Sequence, residues 1–129
     1  MLEVGMTYSF TITVEPQMTA KSMKSGLLDV FATPMMIACM ENCCLECVRP
    51  RLDEGMSTVG TAVDIKHVAA TPVGMQVCFT CRLEEIDRRR LVFTVSANDE
   101  AGLIGEGRHE RFIVDSKRFE EKCAAKLAQ

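Results

Sequence analysis

Residues 33–48, Thr-Pro-Met-Met-Ile-Ala-Cys-Met-Glu-Asn-Cys-Cys-Leu-Glu-Cys-Val, limit what this chain can fold into more than any other segment. Thr33-Pro34 offers a hydroxyl suited to an N-cap, then a proline at the first helical position, where a missing N–H costs nothing. Met36, Ile37, Met40, Cys43, Cys44, Cys47 and Val48 continue as an apolar stripe. The stripe is too broad for a helix resting on a surface, and Arg49-Pro50 ends it. A helix of about four turns that is buried on most sides needs a wall that curls around it.

Alternation elsewhere in the chain predicts that wall. Tyr8, Phe10, Ile12 and Val14 alternate with Thr7, Ser9, Thr11 and Thr13, and Glu15-Pro16 ends this first strand. Gln17 to Ser25 shows no clean period and reads as a loop, with one turn of helix expected near Leu27 to Phe31. Four strand-like runs follow the long helix. Thr58 to Thr71 is the first, and Pro72-Val73-Gly74 turns the chain. Met75, Val77, Phe79, Cys81 and Leu83 then share one face of a strand with one wet side. Asp87-Arg88-Arg89 reads as a hairpin loop, and Leu91, Phe93, Val95 and Ala97 form the next inward face. Leu103 to Val114 is the last strand, where Gly105 and Gly107 suggest a bulge or a close backbone approach. Ser116 is placed to cap a final helix carrying Phe119, Cys123 and Leu127.

Strand, buried helix, four antiparallel strands and a short helix make an α+β chain. The economical packing is the hotdog fold, a five-stranded antiparallel sheet wrapped around a long central helix. Residues 1–129 suit a single domain that buries roughly two thirds of its unfolded surface. A net charge of -3 argues against a nucleic-acid groove or an anionic membrane surface as the main partner. No run is long and apolar enough to span a bilayer, and no basic segment followed by an apolar one is read at the N-terminus, so a cytoplasmic location is expected. The seven cysteines are odd in number. Cys39, Cys43, Cys44 and Cys47 crowd into one helix in a spacing that matches no common metal motif. They read as reduced thiols packing as small hydrophobes, and no metal is expected.

One strand residue breaks the pattern. Val59, Thr61, Val63, Ile65, His67 and Ala69 fall on one face at period two, which turns an imidazole toward the core. Glu41 likewise interrupts the apolar stripe of the helix, between Ile37, Ala38, Cys44 and Leu45. Poor solvation there suits a carboxylate to proton transfer or attack.

From about Val30 through Arg111 the chain resembles the fluoroacetyl-CoA thioesterase branch of the hotdog superfamily. The residues that carry the likeness are Val30-Phe31-Ala32-Thr33, Met40-Glu41, Gly60-Thr61-Ala62, His67, Ala69-Ala70-Thr71-Pro72, Val95-Ser96-Ala97 and His109-Glu110-Arg111. The resemblance implies an acyl-CoA thioesterase, acting on a short acyl chain without a cofactor, and a homodimer. It implies catalytic roles for Thr33, Glu41 and His67, a backbone position near the thioester for Gly60 and a supporting role for Arg111. In the implied mechanism Glu41 attacks or activates water, His67 passes a proton to the leaving thiolate, and Thr33 with nearby N–H groups holds the oxyanion. Thr33 and Glu41 lie about 12 Å apart along one helix, so a substrate or a second protomer must close the gap.

Other readings stand beside these. Arg111 can form an ion pair with Glu106 or Glu110, and His109 shares its face with nothing but proximity to recommend it. Arg88-Arg89-Arg90, with Lys66, Arg82 and Arg108, can meet the phosphates of coenzyme A or form a solvated tip. A non-catalytic acyl-CoA binding protein, or a hotdog hydratase or dehydratase, is the alternative function. The family's phenylalanine-rich lid is reduced here to Lys24-Ser25-Gly26-Leu27-Leu28-Asp29-Val30-Phe31, with Phe31 alone at a matching place.

Overall fold

Helix α2, Thr33–Val48, is the central element of the computed structural model, which describes all 129 residues. Its wall is a five-stranded antiparallel sheet in the order β1-β3-β4-β5-β2. The strands are β1 (Thr7–Thr13), β2 (Met56–His67), β3 (Gln76–Asp87), β4 (Arg90–Asp99) and β5 (Gly102–Asp115). A short helix, α1 (Ala20–Met23), precedes α2, and α3 (Ser116–Ala124) follows β5. The chain is thus the hotdog arrangement expected from the order of its elements.

The core forms where α2 meets the sheet. Val77, Phe79, Cys81 and Leu83 of β3, with Leu91, Phe93, Val95 and Ala97 of β4, are all buried against Met36, Cys39, Met40, Cys43, Cys44, Cys47 and Val48. Each large aliphatic or aromatic side chain so covered contributes about 1.5–3 kcal/mol relative to exposure. Phe79 anchors the far side, with Phe10 stacked at 5.4 Å and Phe31 tilted at 6.3 Å between ring centroids.

Five local expectations change. The turn of helix lies at Ala20–Met23, where the Thr19 hydroxyl caps Ser22 N–H at 3.1 Å. Leu27 to Phe31 cannot be helical, because Val30 bridges Pro72 and Phe31 N–H bonds Thr71 O at 2.8 Å in extended pairing. The N-cap of α2 is Ala32, and Thr33 is already its first helical residue. Asp115, whose carboxylate takes Arg118 N–H, caps α3 in place of Ser116, and Phe119 and Leu127 stay exposed.

The largest change is in β2, which stops at His67 and not at Thr71. Its register against β5 shifts between Gly60 and Ala62, leaving Thr61 as the extra residue of a bulge. Thr58 is therefore the buried side chain at its end of the strand, while Val63, Ile65 and His67 keep the inward face beyond the bulge. Val59 and Thr61 do not share that face. Gly107 permits the tight β2–β5 approach, since a Cβ there would lie 2.7 Å from Ile65 Cα.

Candidate active site

Two groups of chemical side chains face α2 along the inner side of β2. At the strand's end the Thr33 hydroxyl, left free by the shift of the cap to Ala32, lies 2.7 Å from His67 Nδ1. The other ring nitrogen, Nε2, is buried and has no hydrogen-bond partner. Burial pulls the imidazole below its ordinary value, against a smaller opposing pull from the backbone of Ala69, so the ring is neutral at neutral pH. Thr33 and His67 line an open cleft of about 320 Å³ with Ala20, Val30, Phe31 and Val68. The backbone N–H groups of Thr33 and Met35 donate to no backbone carbonyl, as expected for the first turn of a helix.

The second group sits at the bulge. Gly60 faces Arg111 across the β2–β5 ladder, and a Cβ at position 60 would lie 2.8 Å from Glu41 Oε2 and 3.2 Å from His109 Cε1. Only glycine leaves the half-buried Glu41 carboxylate room to press against the strand. Arg111 is buried and donates to Thr58 Oγ1 at 2.8 Å and Thr58 O at 2.9 Å. It also reaches His109 Nε2 at 3.1 Å, while His109 Nδ1 meets Ala62 O at 2.8 Å. Since a guanidinium can only donate, Nε2 accepts and Nδ1 carries the proton. Burial holds His109 below its ordinary value, helped by the charge of Arg111 and opposed by the Ala62 bond and Glu41. The neutral tautomer is thus doubly favoured.

An ion pair of Arg111 with Glu106 or Glu110 is ruled out by strand alternation. Glu110 points to the outer face and binds Arg90 at 2.9 Å. His109 is the residue that sequence reasoning passed over. The usable signal was its place two residues before Arg111, on the face that meets the bulge.

The structure brings Thr33 to His67 and Glu41 to Gly60, His109 and Arg111, but it does not bring the two groups together within one chain. Gly60 and His67 are separated by about 20 Å of strand. They nevertheless share a face, which residues seven apart do only because Thr61 bulges. The strand that holds both is an edge of the sheet, with Val63 and Val68 about half exposed. The buried polar cluster thus lies beside an unpaired edge of the sheet.

The helix cysteines are buried free thiols. Hydrogen bonding to Cys81 and burial push Cys43 and Cys44 upward, and burial alone lifts Cys39 to about 11, so these three remain protonated. They serve as packing against β3.

Comparison with known proteins converges on one family. A family model described as fluoroacetyl-CoA-specific thioesterase matches residues 14–117. The fluoroacetyl-CoA thioesterase of Streptantibioticus cattleyicolor is 34% identical over 97% of this chain and 94% of its own. A solved structure of the fluoroacetyl-CoA thioesterase FlK superposes with a TM-score of 0.93 at 33% identity, covering 98% of both chains. A thioesterase superfamily member from Thermus thermophilus gives 0.91 at 30% identity, over 99% of this chain and 95% of that one.

Proposed function

Because the chain belongs to the fluoroacetyl-CoA-specific thioesterase family, and is an acyl-CoA thioesterase, we propose that it hydrolyses short acyl-CoA thioesters as a cytoplasmic homodimer, each site built from two chains. Residues 1–129 act in this reading as one domain. The observation that carries it is the 2.7 Å contact between Thr33 Oγ1 and His67 Nδ1 at the mouth of a cleft.

Chemistry follows from the hydrogen bonds. In this reading the Thr33 hydroxyl, 2.7 Å from Nδ1, donates to it, and the imidazole proton is carried on Nε2. The N–H groups of Thr33 and Met35, at the positive end of α2, receive the charge that develops on the thioester oxygen. Glu41 takes the proton of the attacking water. Nε2–H gives its proton to the departing sulfur, and the proton held by Glu41 restores it, so the free acid and the thiol leave with every atom accounted for. Gly60 admits the carboxylate, with Arg111 and His109 bonded to each other beside it.

The dimer supplies the missing proximity. Antiparallel pairing of β2 with its copy, about a two-fold axis between Val63 and Asp64, sets His67 opposite the partner's Gly60. Glu41 of the partner subunit then faces the thioester bound beside Thr33. Release of free thiol from a panel of acetyl-, propionyl- and butyryl-CoA tests the activity. Steady release supports hydrolysis, while binding without release favours a non-catalytic acyl-CoA protein.

A further inference from the structure

A second cleft, of about 300 Å³, lies at the far end of β2 and β5 from His67, between the β3–β4 hairpin tip and α3. Met56, Phe112 and Phe119 give it an apolar floor, and Arg89, Arg118 and Lys122 stand on its rim. Phe112 is 41% and Phe119 45% exposed, so two aromatic faces are open to a ligand. Arg90 is committed to Glu85 at 2.7 Å and Glu110 at 2.9 Å. Arg89, Arg118 and Lys122 have no such partner, since no carboxylate forms an ion pair with any of them. Asp115 also lines the cleft, but its carboxylate is occupied in capping Arg118 N–H at 3.1 Å.

In a chain of net charge -3, three uncommitted cations gathered over two open phenyl rings are a local reversal of sign. Aromatic faces stack on a base, and arginine forks match phosphate oxygens. Met56 lies on the same strand face as Thr58 and Gly60, while Phe112 shares the outer face of β5 with Glu110, so the cleft straddles the end of the sheet.

We propose that this cleft binds the nucleotide end of the acyl-CoA substrate, with adenine against Phe112 and Phe119 and the phosphates on Arg89, Arg118 and Lys122. This rests on the thioesterase reading and extends it from the acyl group to the handle. Charge and stacking together select an adenosine 3′,5′-phosphate over a phosphate alone.

The test compares acetyl-CoA with the truncated thioester S-acetyl-N-acetylcysteamine, in the parent protein and in an Arg89→Ala/Arg118→Ala/Lys122→Ala variant. The variant is expected to raise KM for acetyl-CoA at least about tenfold while hydrolysing the truncated thioester as the parent does. Phe112→Ala is expected to act in the same direction. An unchanged KM for acetyl-CoA overturns the proposal. Titration with adenosine 3′,5′-bisphosphate decides the matter independently of turnover. Binding to the parent that the triple variant loses supports the cleft even if no thioester is hydrolysed, and equal binding to both, or none to the parent, refutes it. Inorganic pyrophosphate in the same titration should bind more weakly, and equal affinity would remove the stacking role.

Discussion

Neutral imidazoles are central to this protein at the scale of single residues. His67 and His109 both titrate below the ordinary histidine value of 6.5, chiefly because burial disfavours the charged ring. The unfolded chain therefore binds more protons as the pH falls through 6.5, and the contribution of these rings to folding stability declines below that pH. The lowered carboxylates Glu84, Asp99 and Glu110 add to the loss only at more acid pH. Urea midpoints measured between pH 8 and pH 5 should fall over the lower half of that range, and a midpoint that rises toward pH 5 would contradict the assignment. Glu41→Gln and His67→Ala should each lower turnover about a hundredfold or more with the fold retained, as judged by circular dichroism. Near-parental turnover in either variant removes that residue from the mechanism. These two side chains were legible in the sequence because each interrupts an apolar face. His109 was legible only in its shared face with Arg111; that Arg111 bonds it while reaching across to Thr58 is a contact that no spacing reveals.

At the scale of elements, the bulge in β2 decides what the strand presents. Strict period two would put Gly60 and His67 on opposite faces, and Thr61 restores them to one. Deleting Thr61 should therefore leave a folded protein with turnover reduced about a hundredfold or more, because one of the two residues must turn outward. Parental activity in that deletion would show that the face shared by Gly60 and His67 is irrelevant. The strands of the core were readable from alternation, as Val77 through Ala97 demonstrate, but a single inserted residue leaves no compositional mark. Thr33 was similarly misplaced as a cap, because its hydroxyl finds a partner from a strand 34 residues away. The segment before α2 carries the proposal on selectivity. Phe31 is buried beside Phe79, and Leu27 and Leu28 project into solvent, so no aromatic lid covers the cleft. Competition between fluoroacetyl-CoA and acetyl-CoA should show a preference under about tenfold, equivalent to about 1.4 kcal/mol. A preference of several orders of magnitude would place selectivity elsewhere than in lid aromatics.

For the whole molecule, the proposed site requires groups separated along one strand to meet at one thioester. The exposed β2 edge, with Val63 and Val68 open to solvent, is the surface through which two copies would pair. Light scattering at micromolar concentration should return the mass of a dimer. A dimer alone does not establish a shared site, and complementation does. Glu41→Gln chains retain Thr33 and His67, and His67→Ala chains retain Glu41, so a mixed dimer contains one intact site and one that lacks both residues. Unfolding the two inactive variants together and refolding them at equal concentration should restore about a quarter of parental turnover, since half of the dimers are mixed and each has one working site of two. A refolded mixture that stays as inactive as its components would show that Glu41 and His67 act within one chain, and the two-chain site would be wrong.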